Sequence, residues 1–192
     1  MPRKEADFEK IRQKRRNEIA ETALELFAKR GYHNTSIRNI ADEAGVSKGL
    51  MYNYFESKEA LLDVILFGAM DEKKTATQSI VMNEIPPKKR LQLIIEGTFE
   101  MVNKRLNHWK LMMSLSLQDE ISTRIKEKFT TQRQQGMQQF IQLFEELDVP
   151  KPQLEAYLLG SALTGVMMQY VHLQQEYPLE EMKAYLINKF CN

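Results

Sequence analysis

Residues 35–61 read TSIRNIADEAGVSKGLMYNYFESKEAL. Small hydroxyl side chains stand in it where helices begin. Thr35 or Ser36 can cap a short helix whose inward face is Ile37, Ile40, Ala41 and Ala44, and Ser47 can cap a second that runs through Tyr54. Ser57 can cap a third, with Glu59 in its first turn at the positive end of the helix dipole. Gly45 ends the first of these within two turns. Two short helices joined by the turn Ala44-Gly45-Val46 are the pattern of a helix-turn-helix. Glycine permits the turn, and Ala41, four positions earlier, is small enough for a tight helix crossing. An A-x-x-x-G spacing also occurs in helical hairpins that bind nothing, so the turn alone leaves the function open.

Working outward, Ile11, Ile19, Ala20, Ala23, Leu24, Phe27 and Ala28 recur at helical spacing before the turn, and Gly31 supplies the left-handed residue that ends their helix. Tyr32 can fold back as the hydrophobic contact of that helix end. After the turn, Leu61, Leu62, Val64, Ile65, Leu66, Phe67 and Met70 form a stripe that fades among Asp71, Glu72, Lys73 and Lys74, which predicts a helix end within 75–85. Pro86 and Pro87 open the next helix, carrying Leu91, Leu93, Ile94, Ile95, Thr98, Phe99, Val102 and Leu106. Further helices are predicted at about 108–118, 119–147, 152–175 and 178–190, with Pro150, Pro152 and Pro178 at the breaks. No stretch alternates like a strand, and no repeat is visible. The expected fold is all-α, with about nine helices: a three-helix helix-turn-helix head over 1–56 and a larger helical body over 57–192.

Charge and composition narrow the function. The net charge is only +1 over 192 residues, so any affinity for nucleic acid has to come from where the charges sit. Lys10, Arg12, Lys14, Arg15 and Arg16 make one basic run, which a solvated helix face explains as well as DNA does. The lone cysteine, Cys191, excludes an intramolecular disulfide and fits a reducing, cytoplasmic setting. The opening residues are charged, and no run approaches the roughly 18–20 apolar residues of a membrane span, so no membrane partner is expected. His33, His108 and His172 lack metal-ligand spacing. No H-E-x-x-H, C-x-x-C, G-x-S-x-G or glycine-rich phosphate loop occurs, so neither a catalytic residue nor a metal nor a cofactor is expected. A helical scaffold or partner-binding module without DNA binding stays open as an alternative, with an enzyme as the third reading.

Residues 47–62, SKGLMYNYFESKEALL, resemble the recognition helix and following helix of the tetracycline-repressor (TetR) family. The wider pattern T-S-I-R-x-I-A-x-x-A-G-V-S-K-G-x-x-Y-x-Y-F-x-S-K-E-x-L runs from residue 35 to 61, so the resemblance covers about the first third of the chain. It implies a transcriptional regulator whose partner is a double-stranded DNA operator. A short helix pointing its N-terminus at DNA presents Lys48, Gly49, Leu50, Tyr52 and Asn53 to base edges and backbone. Lys48 can donate to guanine or phosphate, Gly49 lets the backbone approach, and Leu50 offers an apolar contact such as a thymine methyl. The resemblance assigns phosphates to Ser36, Tyr54 and Lys58 and a base or backbone contact to Arg38, and Thr35 and Ser47 are counted with this set. Phe55, Val46 and Met51 read as the core of the head. Many relatives carry Thr or Ser where this chain has Leu50 and His where it has Asn53, which bears on the operator that is read.

The body is less specific. The stretch 152–175 is apolar on nearly every side, with Leu154, Tyr157, Leu158, Leu159, Leu163, Val166, Met167, Met168, Tyr170 and Val171, and is expected to be buried on two faces. Its small pairs Ser161/Gly165 and Gly160/Thr164 suit either tight packing within one chain or a partner helix. The resemblance implies the latter: a homodimer joined by a four-helix bundle, with Leu154, Tyr157, Leu158, Ser161, Gly165, Met168 and Leu186 at the interface. Two heads then read half-sites roughly 34–36 Å apart. Phe99, Met101, Trp109, Met112, Met113, Leu115, Met137, Phe140, Phe144 and Met167 can be core or the lining of a ligand pocket. Phe99, His108, Trp109, Met112, Met113, Met137, Phe140 and Met167 are the candidate contacts for a small, largely hydrophobic effector. The family mechanism would have that effector displace the helix beginning at Ser57 and release a repressor from a palindromic operator.

Overall fold

The computed structural model describes residues 2–68, 84–116 and 123–191. Among the described residues there are nine α-helices and no strand, the all-α fold that the sequence predicts. They are α1 (Pro2–Arg30), α2 (Ile37–Glu43), α3 (Lys48–Tyr54), α4 (Lys58–Asp63), α5 (Pro87–Lys104), α6 (Leu106–Ser116), α7 (Thr123–Glu146), α8 (Pro152–Leu173) and α9 (Leu179–Cys191). They divide into two compact units, the first from residues 2–68 and 110–116, the second from 84–109 and 123–191.

In the first unit, Ile19, Ala23, Leu26 and Phe27 of α1 form a buried stripe. Ile40 and Ala41 of α2, Met51 of α3, Phe55 and Leu61 and Leu62 of α4 are buried in the same unit, so each short helix gives its apolar residues to one core. The α1 helix starts well before its stripe does. Phe8 and Ile11 are 70 % and 65 % exposed, so Ile11 does not belong to the inward face predicted for it. Helix α4 continues as a π-helical turn, Val64–Gly68, that buries Ile65, Leu66 and Phe67. The helix end predicted within 75–85, together with Met70 and the fading stripe at 71–74, lies outside the described residues except for 84 and 85, which precede α5.

The second unit is held by Leu91, Ile95 and Phe99 of α5, Leu143 and Phe144 of α7, Ala156, Leu159, Leu163 and Val166 of α8, and Leu186 and Cys191 of α9. Arg90 adds a cross-tie, its guanidinium meeting the Glu146 carboxylate while Nε donates to the Ile85 carbonyl at 3.0 Å. Prolines mark the starts as predicted, Pro87 opening α5 and Pro152 opening α8. The stripe predicted through Leu106 breaks one residue earlier. Arg105 leaves helical geometry (φ −128, ψ 44) and Leu106 opens α6, a break that no glycine or proline announces. Helix α8 ends at Gln174, with φ 51, in a 3-10 turn over Gln174–Glu176.

Candidate functional site

Both borders of the helix-turn-helix are built from backbone hydrogen bonds that the sequence anticipates. Gly31 (φ +83) closes α1 by donating to the Phe27 carbonyl at 2.9 Å, and Tyr32 folds back edge-on to Phe27 with ring centroids 5.1 Å apart. At the end of α2, Val46 N–H donates to the Ala41 carbonyl at 2.9 Å and Gly45 N–H to Asp42 at 3.3 Å. That paired closure requires a left-handed residue, which Gly45 supplies at φ +64. Serine caps open all three short helices. The Ser36 hydroxyl oxygen accepts from Asn39 N–H at 3.1 Å, Ser47 from Leu50 N–H at 3.1 Å, and Ser57 from Ala60 N–H at 3.0 Å. Asn39 returns the favour through its Oδ1, which accepts from Ser36 N–H at 2.9 Å.

Helix α3 has two clear sides. Met51 is buried in the unit with the capping residue Phe55, and Val46 is half-buried beside them. Ser47, Lys48, Gly49, Leu50, Tyr52 and Asn53 are exposed, with Tyr54 half-buried at the edge. Ser36 and Arg38 are exposed as well, Arg38 standing 3.8 Å from Asp42 on its own helix. Thr35 does not join this surface. It is fully buried, and its hydroxyl donates to the Gly31 carbonyl at 2.9 Å and lies 3.4 Å from that of Leu26, which makes it a strut between α1 and α2 rather than a DNA contact. Lys58 is also engaged internally. Its ammonium stands 4.2 Å from the centre of the Tyr32 ring and 3.5 Å from the His33 carbonyl, and burial lowers its pKa.

The basic run of α1 is spent largely inside the unit. Arg15 donates to the Ala44 carbonyl at 3.1 Å and pairs with Glu18 at 2.8 Å, so it clamps the turn. Arg16 lies 5.2 Å over the Phe55 ring, and Arg12 reaches the Asn53 carbonyl at 3.5 Å. Their spacing, three and four residues apart, puts the three arginines on one face of α1, which is the signal in the sequence; what that face meets is not in the sequence.

In the second unit a groove of about 1070 Å³ runs along α7 and α8, with Thr98 of α5 and Trp109 of α6 in its wall. Met137, Phe140, Ile141, Leu163 and Met167 make its apolar lining, and Arg133, Gln134, Gln138, Ser161 and Thr164 its polar one. Four of the predicted effector contacts meet here: Trp109, Met137, Phe140 and Met167. The other four do not line it. Phe99 is 3 % exposed and belongs to the core, and Met112 and Met113 fall in the first unit. His108 is buried edge-on to Trp109, and burial, followed by the charge of Arg105, holds its pKa below the ordinary value. The indole Nε1 of Trp109 is buried with no hydrogen-bond partner among the described residues. Arg133 and the two glutamines went unpredicted because a polar residue on a helix reads as solvated surface unless its neighbours are known.

Helix α8 is buried on one face only. Leu154, Tyr157, Leu158 and Met168 are 60 %, 56 %, 48 % and 55 % exposed, and Ser161 and Gly165 lie on the same open side. Leu186, predicted to share that surface, is instead packed in the core of the unit at 3 % exposure.

The family model described as "Bacterial regulatory proteins, tetR family" matches residues 19–65, from the buried stripe of α1 to the π turn. Over these residues the chain resembles the tetR family. The HTH-type transcriptional repressor KstR2 of Rhodococcus jostii is 35 % identical over 89 residues, 46 % of this chain and 44 % of that protein. The chain thus matches less than half the length of that relative. Two solved structures share the fold across nearly the whole chain. The transcriptional regulator FadR from Bacillus subtilis in complex with stearoyl-CoA aligns with a TM-score of 0.73 at 19 % identity, covering 91 % of this chain and 97 % of that one. The ketosteroid transcriptional regulator KstR2 of Mycobacterium tuberculosis aligns at 0.71 and 21 % identity, covering 93 % and 95 %. The fold of these structures thus extends across nearly the whole chain at low sequence identity. No helix among the described residues is long and apolar enough to cross a membrane.

Proposed function

We propose that the chain is a ligand-responsive, dimeric transcriptional repressor, with the head over 1–56 reading DNA and the body over 57–192 sensing an effector and joining two copies. The observation that carries the DNA-binding reading is Gly49. Glycine in a helix costs about 0.5–1 kcal/mol against alanine, yet a side chain added here would meet nothing nearer than the Ser47 hydroxyl at 4.0 Å. No packing inside the unit calls for a glycine. A phosphate or base edge brought against the backbone between Lys48 and Leu50 does call for one. Lys48, Tyr52 and Asn53 surround that bare spot, with Ser36, Arg38 and Tyr54 placed to hold the flanking phosphates and Lys58 free to do so only by leaving Tyr32.

Two copies joined through the open face of α8 would carry two such helices to the half-sites of a palindrome. The groove along α7 and α8 would take a small, largely hydrophobic effector, and the stearoyl-CoA held by the Bacillus subtilis FadR makes a long-chain acyl thioester the first compound to try. Effector binding would shift α4 and change the separation of the recognition helices, with an effect on DNA affinity of about 5–150-fold by linkage. Such a regulator works in the cytoplasm, where its operator is. Selection from a random DNA pool tests this: a palindromic sequence should be enriched, bound by two protomers, and released on adding stearoyl-CoA or another effector. A pool that never departs from random would refute the regulator reading.

A further inference from the structure

We propose that Arg15, braced by Glu18, is a positioning residue for operator recognition: it ties α1 to the turn between α2 and α3 and so fixes the orientation of α3 against DNA, without touching a phosphate. The inference rests on the regulator reading above, in which α3 is set against DNA. Helices α2 and α3 are seven residues each, too short to hold their geometry without tertiary contacts. The last carbonyls of such a helix have no partner within it, and a basic side chain is their favourable neighbour. Neither helix carries a basic residue in its own last turn. Helix α1 brings them from outside.

The Arg15 guanidinium donates from Nη2 to the Ala44 carbonyl at 3.1 Å, with the Gly45 carbonyl at 3.5 Å, and from Nη1 to the Glu18 carboxylate at 2.8 Å. Arg12 stands 3.5 Å from the Asn53 carbonyl in the last turn of α3, and Arg16 lies over the ring of Phe55, the residue that ends it. The arginines of α1 thus meet the end of α2 and the end of α3, while Lys10 and Lys14 of the same basic run are exposed. A planar guanidinium can face three oxygens at once, which an ammonium on its flexible stem does less well. Its grip bears on binding because Lys48, Tyr52 and Asn53 ride on one short helix. A tilt of α3 moves all three together, and recognition groups have to be held within about 0.5 Å of their working geometry.

An arginine here can hold a phosphate or hold the turn, and Glu18→Gln gives the two roles opposite signs. Glu18 is about half exposed, so its replacement should leave helical content unchanged. The change removes a negative charge from the head and frees Arg15, which would tighten DNA binding if Arg15 were a phosphate contact. If Glu18 braces a clamp, the variant should bind the selected palindrome about three- to tenfold more weakly. Arg15→Gln should lose about tenfold on the palindrome. It should keep the salt slope of the wild type and an affinity for random DNA within about twofold of it, whereas losing a phosphate contact lowers the slope by about one. A readout without DNA is amide hydrogen exchange, which Arg15→Gln should quicken over residues 44–54 and leave unchanged in α5 and α9. Tighter palindrome binding by Glu18→Gln, a slope reduced by about one in Arg15→Gln, or unchanged exchange over 44–54 overturns the inference and leaves the regulator reading standing. A wild type that prefers no sequence to random DNA overturns the regulator reading and the positioning role with it, while exchange still scores the clamp.

Discussion

In α3, Met51 turns inward, and the exposed side is polar or bare except for Leu50 and Tyr52. In α8, Ala156, Leu159, Leu163 and Val166 turn inward, but Leu154, Tyr157, Leu158 and Met168 stand just as plainly outward. A short helix that keeps apolar residues on one side is finished by the fold of its own chain. A long one with two apolar sides is not, since exposing a contiguous apolar face costs roughly 25 cal/mol per Å² relative to covering it. On the proposed reading, the head presents a surface for DNA and the body a face for a second copy.

The neighbouring residues Leu158 and Leu159 put that contrast to its largest test. Leu159→Ala removes a fully buried side chain from the body core and should cost about 2–5 kcal/mol in urea denaturation. Leu158→Ala, about half exposed, should move stability of the isolated chain by no more than about 0.5 kcal/mol while weakening self-association in sedimentation. Equal costs would mean that the open face is part of the monomer's own core.

Next in size is the head's turn. Gly45→Val forces a β-branched residue to φ +64 and should destabilise the head by about 2 kcal/mol, seen as a lowered melting midpoint. Gly49→Ala sharpens the same point from the other side. It should raise stability by about 0.5–1 kcal/mol, yet weaken operator binding by anisotropy titration, because the added methyl meets DNA and nothing in the protein.

The smallest expected effect is electrostatic. His108 has a folded pKa below its usual 6.5, so the unfolded chain takes up its proton first as the pH falls. Stability should therefore be flat with respect to this group above about pH 6.5 and decline as the pH drops from there toward the folded value. The decline should be shallower in His108→Gln, measured as melting temperature between pH 7.5 and 5.

The head was legible because its reasons are local. Ser36, Ser47 and Ser57 cap the helices that follow them, and Gly31 and Gly45 sit where the backbone turns left-handed, all within a few residues of sequence. What escaped was decided across the unit: Thr35 looks like a surface cap and is buried by the end of α1, and Arg15 looks like solvated charge and clamps a turn 29 residues away. In the body the apolar stripes located the helices but not the direction each side chain faces. Leu186 and Phe99 went into the core, and only four of eight expected effector contacts came to the groove.

The most direct test of the central claim is a fluorescence-anisotropy titration of the wild type and Lys48→Ala against the selected palindrome, each at several salt concentrations. The account predicts a strongly salt-dependent complex for the wild type. For Lys48→Ala, whose side chain is exposed on α3, it predicts weaker binding at unchanged thermal stability, with a salt slope smaller by about one if Lys48 holds a phosphate. Equal affinity for palindrome and random DNA, or a Lys48→Ala variant that binds as the wild type does, would contradict it.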